Sequence, residues 1–136
     1  HYGHILLFEE CKQHCDKLIV AVQTDPSIDR PEKNKPIQTL EERVGQVEAV
    51  RWIDNVLVYS TEADLHALLK VLRPDIRFLG ADWKGKEFTG HELPMDFHFC
   101  ARDHKFSSSE LRQRIIADKI VQTWKEINDR SDRNSK

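Results

Sequence analysis

The chain of 136 residues contains no stretch near the ~20 consecutive apolar residues that a membrane-spanning helix needs. Its longest compact apolar runs are Ile5–Phe8 and Leu18–Val22. Cysteine is scarce: three residues, an odd number, with no Cys-x-x-Cys pair. That argues against a disulfide framework and for the reduced thiols of a cytoplasmic protein. There is no basic excess either, since 21 Lys and Arg face 23 Asp and Glu for a net charge of -2. No global field therefore draws the chain to duplex DNA, RNA or an anionic membrane, and any anion must be held by a local site. A charged leader with a small-residue cleavage site is not present. Nor is an initiating Met: the first residue is His1, so the translated protein is expected to extend upstream. What remains is 39% hydrophobic and 32% charged, enough for one core of domain size.

Apolar periodicity predicts a helix from Gly3 to about Cys15 and then a short β-branched run, Leu18–Val22, without polar alternation. Such a run reads as a parallel strand covered on both faces. Residues 23–38 hold three of the five prolines and are expected as a long loop. Thr39 with Glu42 signals a capping box for a second helix, whose face is Leu40, Val44, Val47 and Val50. Strand Val56–Tyr59, a helix from Thr61 stopped at Arg73-Pro74, and strand Ile76–Leu79 follow. After a loop over 80–91 come strand Phe97–Cys100 and a last helix capped by Ser107–Ser109 and Glu110, carrying Leu111, Ile115, Ile116, Ile120 and Trp124. This alternation predicts a three-layer α/β fold with a parallel sheet and helices on both faces. The catalytic domain is expected over 1–127, with a polar tail over 128–136. In such folds ligands sit outside the carboxyl ends of the strands and at helix N-termini.

Three segments at those places carry candidate chemistry. His1-Tyr2-Gly3-His4 brackets a glycine with two imidazoles at a helix start, where free N–H groups and the helix dipole favour a phosphate. Alone, the pattern fits surface or capping histidines better than a site. Arg102 to Ser109 places three serines after a run of cation-capable side chains, more hydroxyls than one cap requires, which fits either an anion site or a serine-rich cap. Gly80-Ala81-Asp82-Trp83, directly after a strand, offers a ring and a carboxylate to a base or sugar, or a ring that covers the core. Cys11, His14 and Cys15 share a helix face, but zinc wants four ligands and no second pair has matching spacing, so they read as core thiols.

Taken in order, these motifs resemble the cytidylyltransferase-like nucleotidyltransferases, most closely the bacterial glycerol-3-phosphate cytidylyltransferases. H-x-G-H stands at His1–His4; R-Y-V-D-E-V is similar to Arg51–Val56, G-D-D-W to Gly80–Trp83, and R-T-x-G-I-S-T-T to Arg102–Ser109. The resemblance implies a Rossmann-like fold and transfer of CMP from CTP to a phosphorylated small alcohol, with Mg²⁺ and release of pyrophosphate. No covalent intermediate is expected, because phosphoryl-type transfer needs positioning and charge neutralisation above all. By resemblance His1, His4, Ser107 and Ser108 are catalytic. Gly3, Lys35, Arg51, Asp82, Trp83 and Arg102, with both serines, contact the nucleotide, and Lys33 contacts the acceptor. No protein ligand for the metal is assigned. A homodimer is implied, with Arg51 and Trp52 as a candidate interface.

The family's first strand and its G-x-F-D turn, which lie ahead of H-x-G-H, are not among residues 1–136. That strand is central in the fold, so these residues alone are expected not to fold stably. Other departures concern the acceptor: no glycine lies within Asp103–Phe106, Glu110 stands where lysine is usual, and Leu65, beside His66, occupies the position of a family lysine. The stretch Asp82–Glu87 with Gly90 is loosely similar to a second branch, adenylyltransferases acting on sugar phosphates. A non-catalytic nucleotide-binding module is the remaining alternative. His66, His91 and His98 are expected to be structural or solvated.

Overall fold

Thr39 and Thr61 each occupy an N-cap in extended conformation and accept the N–H of the residue three positions on, while Glu42 and Asp64 reach back to the cap backbone. These two capping boxes fix where the second and third helices start. The computed structural model describes residues 1–134, and in it the order is α1 (Tyr2–Gln13), β1 (Ile19–Gln23), α2 (Leu40–Glu48), β2 (Asn55–Tyr59), α3 (Glu62–Leu72), β3 (Ile76–Gly80), a 3₁₀ turn (Ala81–Trp83), β4 (Asp96–Cys100) and α4 (Ser108–Asn134). Strand and helix alternate as the periodicity predicts. Residues 24–39 hold no helix or strand, as their prolines require. Arg73, left-handed at φ 48°, closes α3 just before Pro74.

All strand pairing is parallel, in register Val20 with Val56 and Phe78 with His98. The strands form two pairs, β1 with β2 and β3 with β4, and among the described residues no ladder joins the pairs into one sheet. The strand that the resemblance places centrally is not among residues 1–136. The expectation that β1 is covered on both faces is corrected. Its pleat turns Ile19 and Ala21 to solvent, while Val20 packs on the core.

Contacts group the chain into two compact units, one of Ile5–Arg102 and one joining His1–His4 to the segment from Asp103 onward. The core of the first is Cys11, Leu18 and Cys100, with Leu7, Phe8, Val20, Ile53 and Phe78 packed against them. Asp54 ties this unit together by accepting from Lys12 Nζ and the Leu18 N–H, both at 2.7 Å. Those two bonds hold its carboxyl below the usual carboxylate range, the lysine contributing most. In the second unit α4 runs on through Asn134, so most of the segment expected as a polar tail is helical. Ser135 and Lys136 lie outside the described residues. The apolar residues that marked α4 in the sequence, Leu111, Ile115, Ile116, Ile120 and Trp124, are all exposed.

Candidate functional site

The unit that holds His1–His4 brings two of the sequence motifs together. The rings of His1 and His4 stack at 4.0 Å between centroids. Gly3 is buried between them and the segment ahead of α4: a Cβ at its position would stand 2.8 Å from His104 Cε1, 2.9 Å from His1 Cε1 and 2.9 Å from the Phe106 carbonyl oxygen. Only a residue without a side chain permits that approach. Tyr2 meets Phe106 edge-on at 4.9 Å, which holds the two segments in register. At the start of α4, Ser107 Oγ accepts the Glu110 N–H at 3.1 Å, and Ser108 is the first helical residue. His1, Gly3, His4, Ser107 and Ser108 thus lie in one unit with a third imidazole, His104, whose Nδ1 is buried and has no hydrogen-bond partner among the described residues. In the sequence His104 was one cation among several; the glycine contact gives it a place.

The chemistry of these groups suits a polyanion. Imidazole N–H groups donate to phosphate oxygens, and a helix start contributes oriented N–H groups and the positive end of its dipole.

The other unit holds the strand-end residues. Arg102 Nη1 donates to Asp82 Oδ2 at 2.7 Å, so two residues predicted to meet the nucleotide form an exposed ion pair. Trp83, next to Asp82, lines a cavity of about 620 Å³ at the carboxyl ends of β2 and β3, with Tyr59, Glu62, His66, Arg77 and Phe88 among its walls. Burial pushes the Tyr59 hydroxyl up and the Arg77 guanidinium down. His66 and His91, expected to be structural or solvated, also line this cavity; for His66 the signal was the Thr61 capping box, which sets the first turns of α3 at a strand's carboxyl end.

The remaining predicted residues lie apart from these groups. Lys33 and Lys35 are exposed in the 24–39 loop, with the Lys33 N–H bonded to the Arg30 carbonyl. Arg51 stacks over the Trp52 ring at 4.7 Å in the turn ahead of β2, at that strand's amino end, away from Tyr59.

One group of mixed donors converges: Glu10 Oε, His98 Nε2 and Cys100 Sγ lie within 4.8 Å of one another, the carboxylate and imidazole at 2.9 Å. Mg²⁺ demands oxygen ligands, so this set does not fit it. Cys11 Sγ is 3.8 Å from Cys100 Sγ, and burial pushes both thiols up, as in a core rather than a reactive site. Cys15 donates to the Cys11 carbonyl and His14 packs on His98, consistent with the structural reading of the α1 cysteines.

The fold is the α/β, Rossmann-like fold of the nucleotidyltransferases, with short parallel strand pairs and helices on both sides. The cytidylyltransferase-like family profile matches residues 1–114, and the chain belongs to that family. Among curated relatives it is 35% identical over 94 residues to the bifunctional protein HldE of Granulibacter bethesdensis, covering 68% of this chain and 19% of that protein. To the bifunctional protein HldE of Helicobacter pylori it is 31% identical over 116 residues, 85% of this chain and 25% of the relative. The chain therefore spans about a fifth to a quarter of these relatives' length. A crystal structure of the lipopolysaccharide core biosynthesis protein from Thermoplasma volcanium superposes with a TM-score of 0.59 at 25% identity, covering 79% of this chain and 88% of that one. Among the described residues no helix is long and apolar enough to cross a membrane.

Proposed function

We propose that this chain transfers an adenylyl group from ATP to a sugar phosphate, releasing pyrophosphate. The observation that supports transfer is the approach of His1 and His104 to Gly3, with His4 stacked on His1, in the same unit as the Ser107–Ser108 start of α4. In this reaction an acceptor phosphate oxygen attacks the α-phosphorus in line. The bond to the β-phosphate oxygen breaks, and its electron pair leaves with pyrophosphate. The imidazoles in their charged form and the α4 N–H groups offset the charge that builds on the transferred and departing phosphates. Among the described residues the convergent Glu10, His98 and Cys100 group does not suit Mg²⁺, which would be held chiefly by the substrate phosphates.

Two features support a sugar acceptor over glycerol 3-phosphate, and ATP over CTP. The stretch Asp82–Glu87 with Gly90 is loosely similar to that of sugar-phosphate adenylyltransferases, and the chain is similar in fold and sequence to a lipopolysaccharide core biosynthesis protein. The test is pyrophosphate release with ATP, CTP, GTP and UTP against aldose phosphates and glycerol 3-phosphate. ATP with an aldose phosphate is the expected pair. Release confined to CTP and glycerol 3-phosphate reverses the assignment, and nucleotide binding without release across the panel contradicts transfer.

A further inference from the structure

The 84–95 segment, which follows the 3₁₀ turn, is pinned far more firmly than a surface connection requires. Gly90 is buried with φ +81°, and a Cβ there would meet Leu69 Cδ1 at 2.8 Å and Arg77 Nη1 at 3.2 Å. Arg77 Nη1 donates to the Thr89 carbonyl, Thr89 Oγ1 donates to Glu62 Oε2 at 2.5 Å, and His66 Nε2 pairs with Glu92 Oε1. The loop is thus clamped to β3 by one arginine and to α3 by two carboxylate contacts. The result is a wall set before any ligand arrives, and preorganisation of this kind limits the ordering cost of binding.

The chemistry of the cavity behind that wall is distinctive. Its charges are matched internally: Glu62 lies by the Thr89 hydroxyl and 4.0 Å from Arg30, while Glu92 lies against His66 and, at 3.6 Å, His91. The His66 contact holds the Glu92 carboxyl below its usual range, so it is an acceptor-only carboxylate at neutral pH. The three glutamates of the lining, Glu62, Glu87 and Glu92, face Arg30, Arg77, His66 and His91, and with Arg30 near Glu62 and Arg77 on the Thr89 carbonyl no cluster of unmatched cations among the described residues marks a phosphate site there. Trp83 and Phe88 add apolar ring faces, with Phe88 held under Arg77 at 5.4 Å. Carboxylates and imidazoles that accept from and donate to neighbouring hydroxyls, beside ring faces that cover C–H surfaces, are the groups that bind a sugar ring.

We propose that this cavity binds the uncharged, polyhydroxylated body of the acceptor, leaving the acceptor's phosphate outside it. This rests on the sugar-phosphate reading above and adds the residues that select the sugar: Glu62, His66 and Glu92.

Two measurements on the full chain test it. Glu62→Gln and Glu92→Gln should each raise KM for the aldose phosphate about tenfold or more, leaving kcat and KM for ATP within about twofold, because a lost hydroxyl contact acts on binding of that substrate alone. A rise in KM for ATP would assign the cavity to the nucleotide, and no change in either KM would leave it without a role; both outcomes overturn the proposal. The second measurement does not need turnover. Imidazole resonances of His66 and His91 are followed while an aldose 1-phosphate, or inorganic phosphate as a control, is added to the unmodified protein. Shifts with the sugar phosphate alone support the cavity assignment even where no nucleotide is transferred. Shifts with both, or with neither, overturn it.

Discussion

The carbonyl oxygen of Phe106 lies 2.9 Å from the point where a Cβ on Gly3 would stand. A hundred residues apart in sequence, the two backbones are in contact, and this contact sets the H-x-G-H histidines beside the start of α4. Because the obstacle is backbone rather than a flexible side chain, Gly3→Ala has to push the two segments apart. Strain of this kind costs about 1–3 kcal/mol, and misplacing the charged groups should lower turnover by on the order of 10². Denaturant unfolding and pyrophosphate release measure the two effects. A Gly3→Ala protein as stable and active as the parent would show that the close approach is dispensable.

On the proposed mechanism, His4→Ala removes one donor to the reacting phosphates while leaving its stacking partner His1 in place. By the size of effect seen for single transition-state donors, kcat should fall by on the order of 10²–10³, with a smaller change in KM for either substrate. A drop of less than tenfold, with chemistry still rate-limiting, would take His4 out of the mechanism.

Ser107 does two things that substitution can separate. Its hydroxyl accepts the Glu110 N–H and caps α4, and by proposal it also meets phosphate. Ser107→Ala loses both, at about 1 kcal/mol for the cap. Ser107→Asp keeps the cap and suits the helix dipole, but sets a negative charge where the polyanion belongs. The aspartate variant should therefore unfold like the parent yet lose activity more severely than the alanine one. Equal activity in parent and aspartate forms would contradict a phosphate at this position.

The order of elements was legible because its signals are local. Thr39 with Glu42 and Thr61 with Asp64 announce helix starts through bonds that span three residues, and Arg73-Pro74 announces an end. The H-x-G-H and serine motifs stood out as candidate ligand-binding types for the same reason. That the two meet was carried in the sequence only by a glycine, whose need for closeness becomes visible once Phe106 is opposite it. The cavity was hidden because Arg30, Glu62, His66, Thr89 and Glu92 come from three separated segments and no short pattern links them. The sequence run Leu18–Val22 suggested two covered faces since β-branched residues look alike whichever way the pleat turns them, yet Ile19 and Ala21 face solvent.

Asp54 gives the fold a definite acid response. Its carboxyl, bonded to Lys12 and to the Leu18 N–H, is held below the ordinary range, so the folded state binds this proton less readily than the unfolded chain. The stabilisation is therefore present above the unfolded carboxylate pKa of about 4 and is lost as pH falls through the lower folded value. Asp54→Asn should destabilise the protein at pH 7, and the gap between the two proteins should close as pH is lowered toward 3. A gap that is constant with pH would mean that Asp54 acts by shape and hydrogen bonding alone.

The most direct test of transfer to a sugar phosphate follows the transferred group itself. ATP labelled at the α-phosphorus is incubated with the protein, Mg²⁺ and an aldose phosphate, and the products are separated and weighed by mass spectrometry. The account predicts label in a nucleoside diphosphate sugar, formed in step with unlabelled pyrophosphate and lost in His4→Ala. Label that stays in ATP, while CTP labelled in the same way passes to glycerol 3-phosphate, would contradict it.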